Sequence, residues 1–146
     1  MPVIYNGGTF DLIHVGHLRT LRKCRELAGS DGQVVIGLNT DKFVEEFKHH
    51  PTVQKYVERS EILSAIRYVD RVIPNIGGAD SRPTLEAVSP DIIAVGQDWY
   101  SSDDSRYCQQ MGFTKNWLDE HHIRLVYLDW VPGLSSTNLR SIAKEI

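Results

Sequence analysis

Apolar and polar positions along the chain follow two alternating patterns. Short, nearly continuous apolar runs occupy 3–5, 34–38, 72–73, 91–96 and 123–128. Runs without strict alternation suit strands buried on both faces. Between them lie stretches with helical spacing. The stretch 15–27 offers Leu18, Leu21 and Leu27 for burial, and 59–68 offers Ile62, Leu63 and Ile66. A short helix is expected after the second strand. The stretch 82–88 reads as a helix with Pro83 tolerated in its first turn. Helices are also expected over 106–121, weakened by Gly112, and over 136–146.

Strand and helix in turn predict βαβ units on a parallel sheet. The expected fold class is α/β: a Rossmann-like, doubly wound sheet of about five parallel strands with helices on both faces. Such sheets bind ligands beyond the carboxyl ends of their strands, so residues just after strands carry most functional weight. The 146 residues fit a single domain, 1–146.

Composition narrows the class further. Apolar residues make up 41% and charged residues 24%, as in an ordinary soluble domain. No apolar run approaches the ~18–20 residues of a membrane span. The first ten residues have no basic and apolar leader pattern, so a cytoplasmic location without membrane attachment is expected. Cys24 and Cys108 fit no metal-binding spacing and read as reduced thiols. Sixteen Lys and Arg against nineteen Asp and Glu leave a net charge of −3, which argues against nucleic acid as a partner. It leaves room for a small anionic ligand, because local cations can sit in an acidic protein.

The first strand is followed by Gly7-Gly8-Thr9-Phe10-Asp11-Leu12-Ile13-His14-Val15-Gly16-His17. Glycines permit a sharp turn and close approach of a ligand. A helix starting near His14 or Val15 points free N–H groups and the positive end of its dipole toward the strand ends, which suits phosphate. His14 and His17 are three apart and share one helix face. They could donate hydrogen bonds to charge developing on a phosphoryl group. Metal ligation is a second reading, but no third ligand follows at a recognisable spacing. A third is a surface role closing the loop.

GTFDLIHVGH resembles the HxGH signature of the nucleotidyltransferase superfamily, and GLSSTNLR resembles its second signature. ERSEILSAIRYVDRVIP and VGQDW are similar to segments of the cytidylyltransferases, in particular the small bacterial glycerol-3-phosphate cytidylyltransferases. The resemblance covers nearly the whole chain, with the motifs in order. It implies transfer of CMP from CTP to a phosphorylated small alcohol, best read as glycerol 3-phosphate, with release of pyrophosphate. No covalent enzyme intermediate is implied; the protein positions reactants and neutralises charge.

By the same resemblance, Gly8, Thr9 and Phe10 cradle the triphosphate, and His14 and His17 act at the α-phosphate. Asp11 organises the site and meets a Mg²⁺ ion held mainly by substrate phosphates and water. Lys48, expected in a loop after the short helix, contacts phosphate. Arg59 and Arg67 match two arginines of the pattern and serve the acceptor. They are eight apart, about 80° around a common helix axis at 3.6 residues per turn. Arg67 is the better phosphate ligand, whereas Arg59 could pair with a carboxylate and fix the loop. Gly96, Asp98 and Trp99 fall at the nucleoside end, where Trp99 either offers a flat face or packs beneath the loop. Ser135, Ser136 and Thr137 would hold the β- and γ-phosphates, or simply cap the last helix. A homodimer is also implied, with residues around Trp117 and Leu118 as a candidate apolar patch.

The chain departs from the cytidylyltransferase pattern in two places. His50 stands where relatives often carry a second basic residue. Trp130 holds the position of an arginine, and Arg140, on the same helix face as Ser136 and Thr137, is the nearby cation that could reach the β- or γ-phosphate. The run Ser135–Arg140 also resembles the SSTxxR ending of adenylyltransferases. ATP with a phosphorylated cofactor precursor or sugar is therefore the alternative chemistry. A nucleotide-binding protein without catalysis is the third.

Overall fold

Consecutive apolar residues in each short run bury both faces of a strand, and five such runs pair side by side. A computed structural model describes residues 1–128 of the chain. The strands are β1 (Val3–Gly8), β2 (Gln33–Leu38), β3 (Arg71–Pro74), β4 (Ile92–Gly96) and β5 (Arg124–Leu128). All pairings are parallel, in the order β3-β2-β1-β4-β5. The chain winds outward from β1 to β3, then returns to lay β4 on the other side of β1. That reversal opens a crevice at the carboxyl ends of β1 and β4, where this architecture binds ligands.

The helices are α1 (Val15–Ala28), α2 (Asp41–Lys48), α3 (Tyr56–Ser64), α4 (Arg82–Val88), α5 (Ser105–Met111) and α6 (Lys115–Glu120). Successive strand residues face opposite sides of the sheet. Ile4 therefore joins a core with Leu21, Cys24, Val34, Ile36 and Leu63. Its neighbour Tyr5 joins a second core with Leu85, Ile93, Tyr107, Phe113 and Leu118. Helices cover both faces, as the alternating pattern predicts.

Several expected elements shift. In α1 the buried stripe is Leu21, Cys24 and Ala28, at i, i+3 and i+7, while Leu18 and Leu27 are exposed. The helix expected over 59–68 is α3, which starts earlier because the Asp41 carboxylate accepts the Tyr56 N–H at 2.9 Å. It ends at Ser64, and the following turn carries Asp70 back to β2. There the Asp70 N–H donates to Val34 O, and the Asp70 carboxylate accepts the Val34 N–H. The helix expected over 106–121 is two helices. Gly112, at φ +81°, ends α5 in a conformation that favours glycine, and the Thr114 hydroxyl caps α6 by accepting the Trp117 N–H.

Leu118 is buried in the second core, because α6 turns it inward, so it does not contribute to an exposed patch with Trp117. The helix over 136–146 and residues Trp130, Ser135, Ser136, Thr137 and Arg140 lie outside the described residues. Among the described residues no helix is long and apolar enough to cross a membrane.

Candidate active site

The loop from β1 to α1 is tense and tightly held. Phe10 and Leu12 adopt φ of 51° and 57°, the left-handed region that disfavours side chains. Three contacts hold this shape. The Asp11 carboxylate accepts the N–H groups of Val53 and Gln54 at 2.8 and 3.0 Å. The Leu12 N–H donates to Gln54 Oε1 at 3.1 Å. Phe10 is buried in the first core. Asp11 is thus mainly a latch between this loop and the 52–54 segment, while still bordering the cavity described below.

The loop ends at His14, the N-cap of α1. The Gly16 N–H donates to His14 Nδ1 at 3.0 Å, and the His14 N–H donates to His17 Nδ1 at 3.1 Å. The two rings lie 4.0 Å apart, centre to centre. An imidazole nitrogen that accepts a hydrogen bond carries no proton, so each ring holds its proton on Nε2. Burial lowers the His14 pKa; burial, then the neighbouring His14, lowers that of His17 to about 4. Both rings are therefore neutral Nε2–H donors at pH 7. His14 Nε2 is buried without a hydrogen-bond partner among the described residues. No acidic residue occupies the first turn of α1, so the positive end of its dipole is uncompensated there.

His17 borders a cavity of about 420 Å³. Thr9, Phe10, Asp11, Val44, Lys48, His50, Thr52, Asp98 and Trp99 complete its lining. Lys48 is the last residue of α2 rather than a loop residue, because the helix continues until His49 turns left-handed at φ 61°. Trp99 both borders the cavity and packs on the second core, edge-on to Tyr107 at 6.1 Å. The Asp98 carbonyl accepts from Arg106 at 2.7 Å. Gly8 borders a neighbouring cavity, and Gly96 ends β4 immediately before the 3₁₀ turn Gln97–Trp99.

The two arginines part company. Arg59 is completely buried, and four of its five N–H donors are engaged. Its guanidinium donates to the carbonyls of Gln54, Thr9 and Asn39 and to the Asp41 carboxylate, at 2.7–3.0 Å. Buried and absent from the cavity lining, it clamps the Thr9 loop, which is the carboxylate-paired reading. Arg67 lies in the turn that leads into the amino end of β3, opposite the cavity. Its guanidinium contacts Tyr68 instead. Because α3 ends three residues before Arg67, the two arginines do not share the expected helix, and this chain does not bring its own Arg67 to His17.

Sequence reasoning missed a polar chain across the carboxyl ends of β1, β2 and β3. Asn39 donates to Thr9 Oγ1 at 3.1 Å, and Asn75 donates to Asn39 Oδ1 at 3.0 Å. The Thr84 hydroxyl donates to Asn75 Oδ1 at 3.0 Å. The signal was present, because Asn39 and Asn75 are the first residues after β2 and β3. Among the described residues no three His, Cys, Asp or Glu side chains cluster as a metal cage. Two acidic residues, Asp11 and Asp98, border the cavity, and so sparse a set fits an ion held mostly by phosphate oxygens and water.

The chain is similar to known proteins. The family model described as cytidylyltransferase-like matches residues 5–142. The chain is 32% identical over 140 residues to a glycerol-3-phosphate cytidylyltransferase of Staphylococcus aureus, covering 96% of this chain and 93% of that one. It is 35% identical over 124 residues to an FAD synthase of Pyrococcus horikoshii, covering 84% and 78%. A lipopolysaccharide core biosynthesis protein of Thermoplasma volcanium shares the fold, with a TM-score of 0.67 at 24% identity, covering 90% of this chain and 98% of that one. The match across nearly the whole chain, with the HxGH histidines at the start of α1, establishes a nucleotidyltransferase, and the chain belongs to the cytidylyltransferase-like family.

Proposed function

We propose that the protein transfers CMP from CTP to the phosphate of a small phosphorylated alcohol and releases pyrophosphate. The observation that carries this reading is the pair of neutral imidazoles, His14 and His17, held as Nε2–H donors at the start of α1. An oxygen of the acceptor phosphate attacks the α-phosphorus. The new P–O bond forms as the bond to the β-phosphate breaks, and that electron pair leaves with pyrophosphate. No general base is required, because a phosphomonoester is mostly dianionic at pH 7, with a second pKa of about 6. The imidazoles instead donate to the α-phosphate oxygens as charge gathers there.

Lys48, which lines the same cavity as His17, supplies positive charge. Mg²⁺, when bound on the triphosphate near Asp11, supplies charge neutralisation. Ser135, Ser136, Thr137 and Arg140 complete the β- and γ-phosphate grip in this reading. Two features support CTP: the similarity of ERSEILSAIRYVDRVIP and VGQDW to the cytidylyltransferases, and the glycerol-3-phosphate cytidylyltransferase relative that spans the chain. Glycerol 3-phosphate is therefore the first acceptor to test. A second reading, adenylyl transfer from ATP, is favoured by the FAD synthase relative and by the SSTNLR ending.

Pyrophosphate release with Mg²⁺ tests both, crossing CTP, ATP, UTP and GTP against phosphorylated acceptors. Acceptor-dependent release with CTP is expected. Release with ATP alone transfers the conclusion to the second reading. Nucleotide binding without release from any pair overturns both.

A further inference from the structure

Trp99 borders both the compartment around His17 and a neighbouring cavity of about 220 Å³, so its side chain is a wall common to the two. The element that carries it is slight. The 3₁₀ turn Gln97–Trp99 has three residues, and no side chain caps it among the described residues. Turns of this kind have poor hydrogen-bond geometry and hold little shape alone. Contacts from outside must fix the ring.

Those contacts come from α5. The Arg106 guanidinium donates to the Asp98 carbonyl at 2.7 Å and lies over the Trp99 ring, 5.3 Å from its centre. Tyr107, the next residue, meets the same ring edge-on. A planar guanidinium can donate along its edge while its face covers an aromatic ring; a lysine ammonium is a point charge and cannot do both.

The start of α5 is itself fastened. Asp104 adopts a left-handed φ of 63°. Its carboxylate accepts the Tyr127 hydroxyl of β5 at 2.7 Å and pairs with Lys115 at 3.1 Å. The Arg106 N–H donates to Ser101 Oγ at 3.2 Å. Arg106 thus reaches back to the turn from a helix tied to the sheet. It is not among the described residues that line either cavity, so its effect on a substrate passes through the turn.

We propose that Arg106 is a positioning residue for nucleotidyl transfer. By holding the Asp98 carbonyl and the face of Trp99, it sets the wall against which the nucleoside triphosphate binds. The inference rests on the reading that places Asp98 and Trp99 at the nucleoside end. His14 and His17 are untouched by it, so loss of Arg106 weakens nucleotide binding and spares the chemical step.

Calorimetric titration with CTP, ATP, UTP and GTP, each with Mg²⁺, tests this without an acceptor. Arg106→Ala is expected to raise the Kd of the bound nucleotide about tenfold, through loss of both the carbonyl bond and the ring contact. With a reacting acceptor, kcat should stay within about twofold, since only binding common to ground and transition state is lost. The melting temperature should change little, because Arg106 is exposed. Arg106→Lys should remain at least about fivefold weaker than the parent protein, since charge alone does not hold the ring. In a Trp99→Leu background, Arg106→Ala should add less than about twofold, the non-additivity of a residue that acts through its neighbour. A parent-like Kd in Arg106→Ala overturns the inference. A parent-like Kd in Arg106→Lys overturns it too, by assigning the effect to charge, as do fully additive losses in the double variant. If the parent protein binds none of the four nucleotides, the transfer reading falls and the inference falls with it.

Discussion

The backbone N–H of His14 donates to Nδ1 of His17 at 3.1 Å, so one histidine's main chain fixes the other's tautomer. His14 is fixed in turn by the Gly16 N–H. Charging either ring places a proton on Nδ1 and breaks the bond that orients it. The pair is thus built to stay neutral and to present Nε2–H outward.

This arrangement predicts an acid titration. The folded-state pKa of His17 is about 4, below the ordinary 6.5 from which it starts. Between those values the unfolded chain binds the extra proton and the folded chain does not. The contribution to stability is therefore complete above about pH 6.5 and is lost as pH falls toward 4, at up to about 1.4 kcal/mol per unit. Urea unfolding at a series of pH values should show that slope, and His17→Asn should flatten it. Long-range ¹H–¹⁵N spectra at pH 7 should show both rings protonated on Nε2 alone. A His17 midpoint near 6.5 would refute the assignment.

The same donors predict the kinetics of substitution. His17→Ala should lower kcat about 10²–10³-fold, the usual loss for one donor to developing charge. KM for the nucleotide should change much less, because the bond strengthens only in the transition state. His14→Asn keeps a side-chain acceptor for the Gly16 N–H but removes Nε2–H, so it should lose kcat without unfolding α1. Steady-state rates with circular dichroism as the fold control test both. A loss confined to KM would show that the imidazoles bind the ground state only.

Arg59 predicts a stability effect with a functional echo. It is buried completely, yet the side chain of Asp41 is 40% exposed, so its loss would leave Asp41 partly resolvated. Burial opposes ionisation of Asp41, but the Tyr56 N–H and the Arg59 guanidinium outweigh it and hold its pKa below the usual range. Arg59→Met also strands the carbonyls of Thr9, Asn39 and Gln54. The expected cost is about 3 kcal/mol, at the lower end for breaking a buried pair because Asp41 regains water. Asp41→Asn should cost less. Urea midpoints measure both, and equal losses would argue against the carbonyl clamp.

The sheet was readable because β2 and β4 are apolar at consecutive positions and Pro83 marks the start of α4. The histidine site was readable because its residues are contiguous from Gly8 to His17. The pairing of Arg59 with a carboxylate was readable, but its partner Asp41 and the place of Arg67 were not, because they depend on where α3 starts and stops. Thr9, Asn39 and Asn75 meet only when three strand ends align. Their bonds span 30 and 36 residues, beyond any local pattern. Tyr5 read as an ordinary strand residue; only the pairing Gly7↔Gly37 shows why no side chain competes with its hydroxyl.

Gly37 gives a structural prediction on that point. A methyl group at 37 would collide with the Tyr5 ring, whose Cζ lies 2.6 Å from the added Cβ. Both residues sit in the sheet centre, so neither backbone can yield easily. Gly37→Ala should cost about 1–3 kcal/mol, the usual range for overpacking. A melting temperature unchanged from the parent protein would show that the Tyr5 ring moves freely.

Lys48 predicts an electrostatic signature. It ends α2 and borders both cavities, so its ammonium can meet phosphate from either substrate. Lys48→Gln keeps the length of the stem and removes the charge. KM for the acceptor, the nucleotide or both should rise about tenfold, matching roughly 1.4 kcal/mol of lost attraction. Added salt should raise KM of the parent protein more than that of the variant, because screening acts only where the charge remains. Equal salt dependence in both proteins would remove Lys48 from the phosphate site and assign its role to packing at the end of α2.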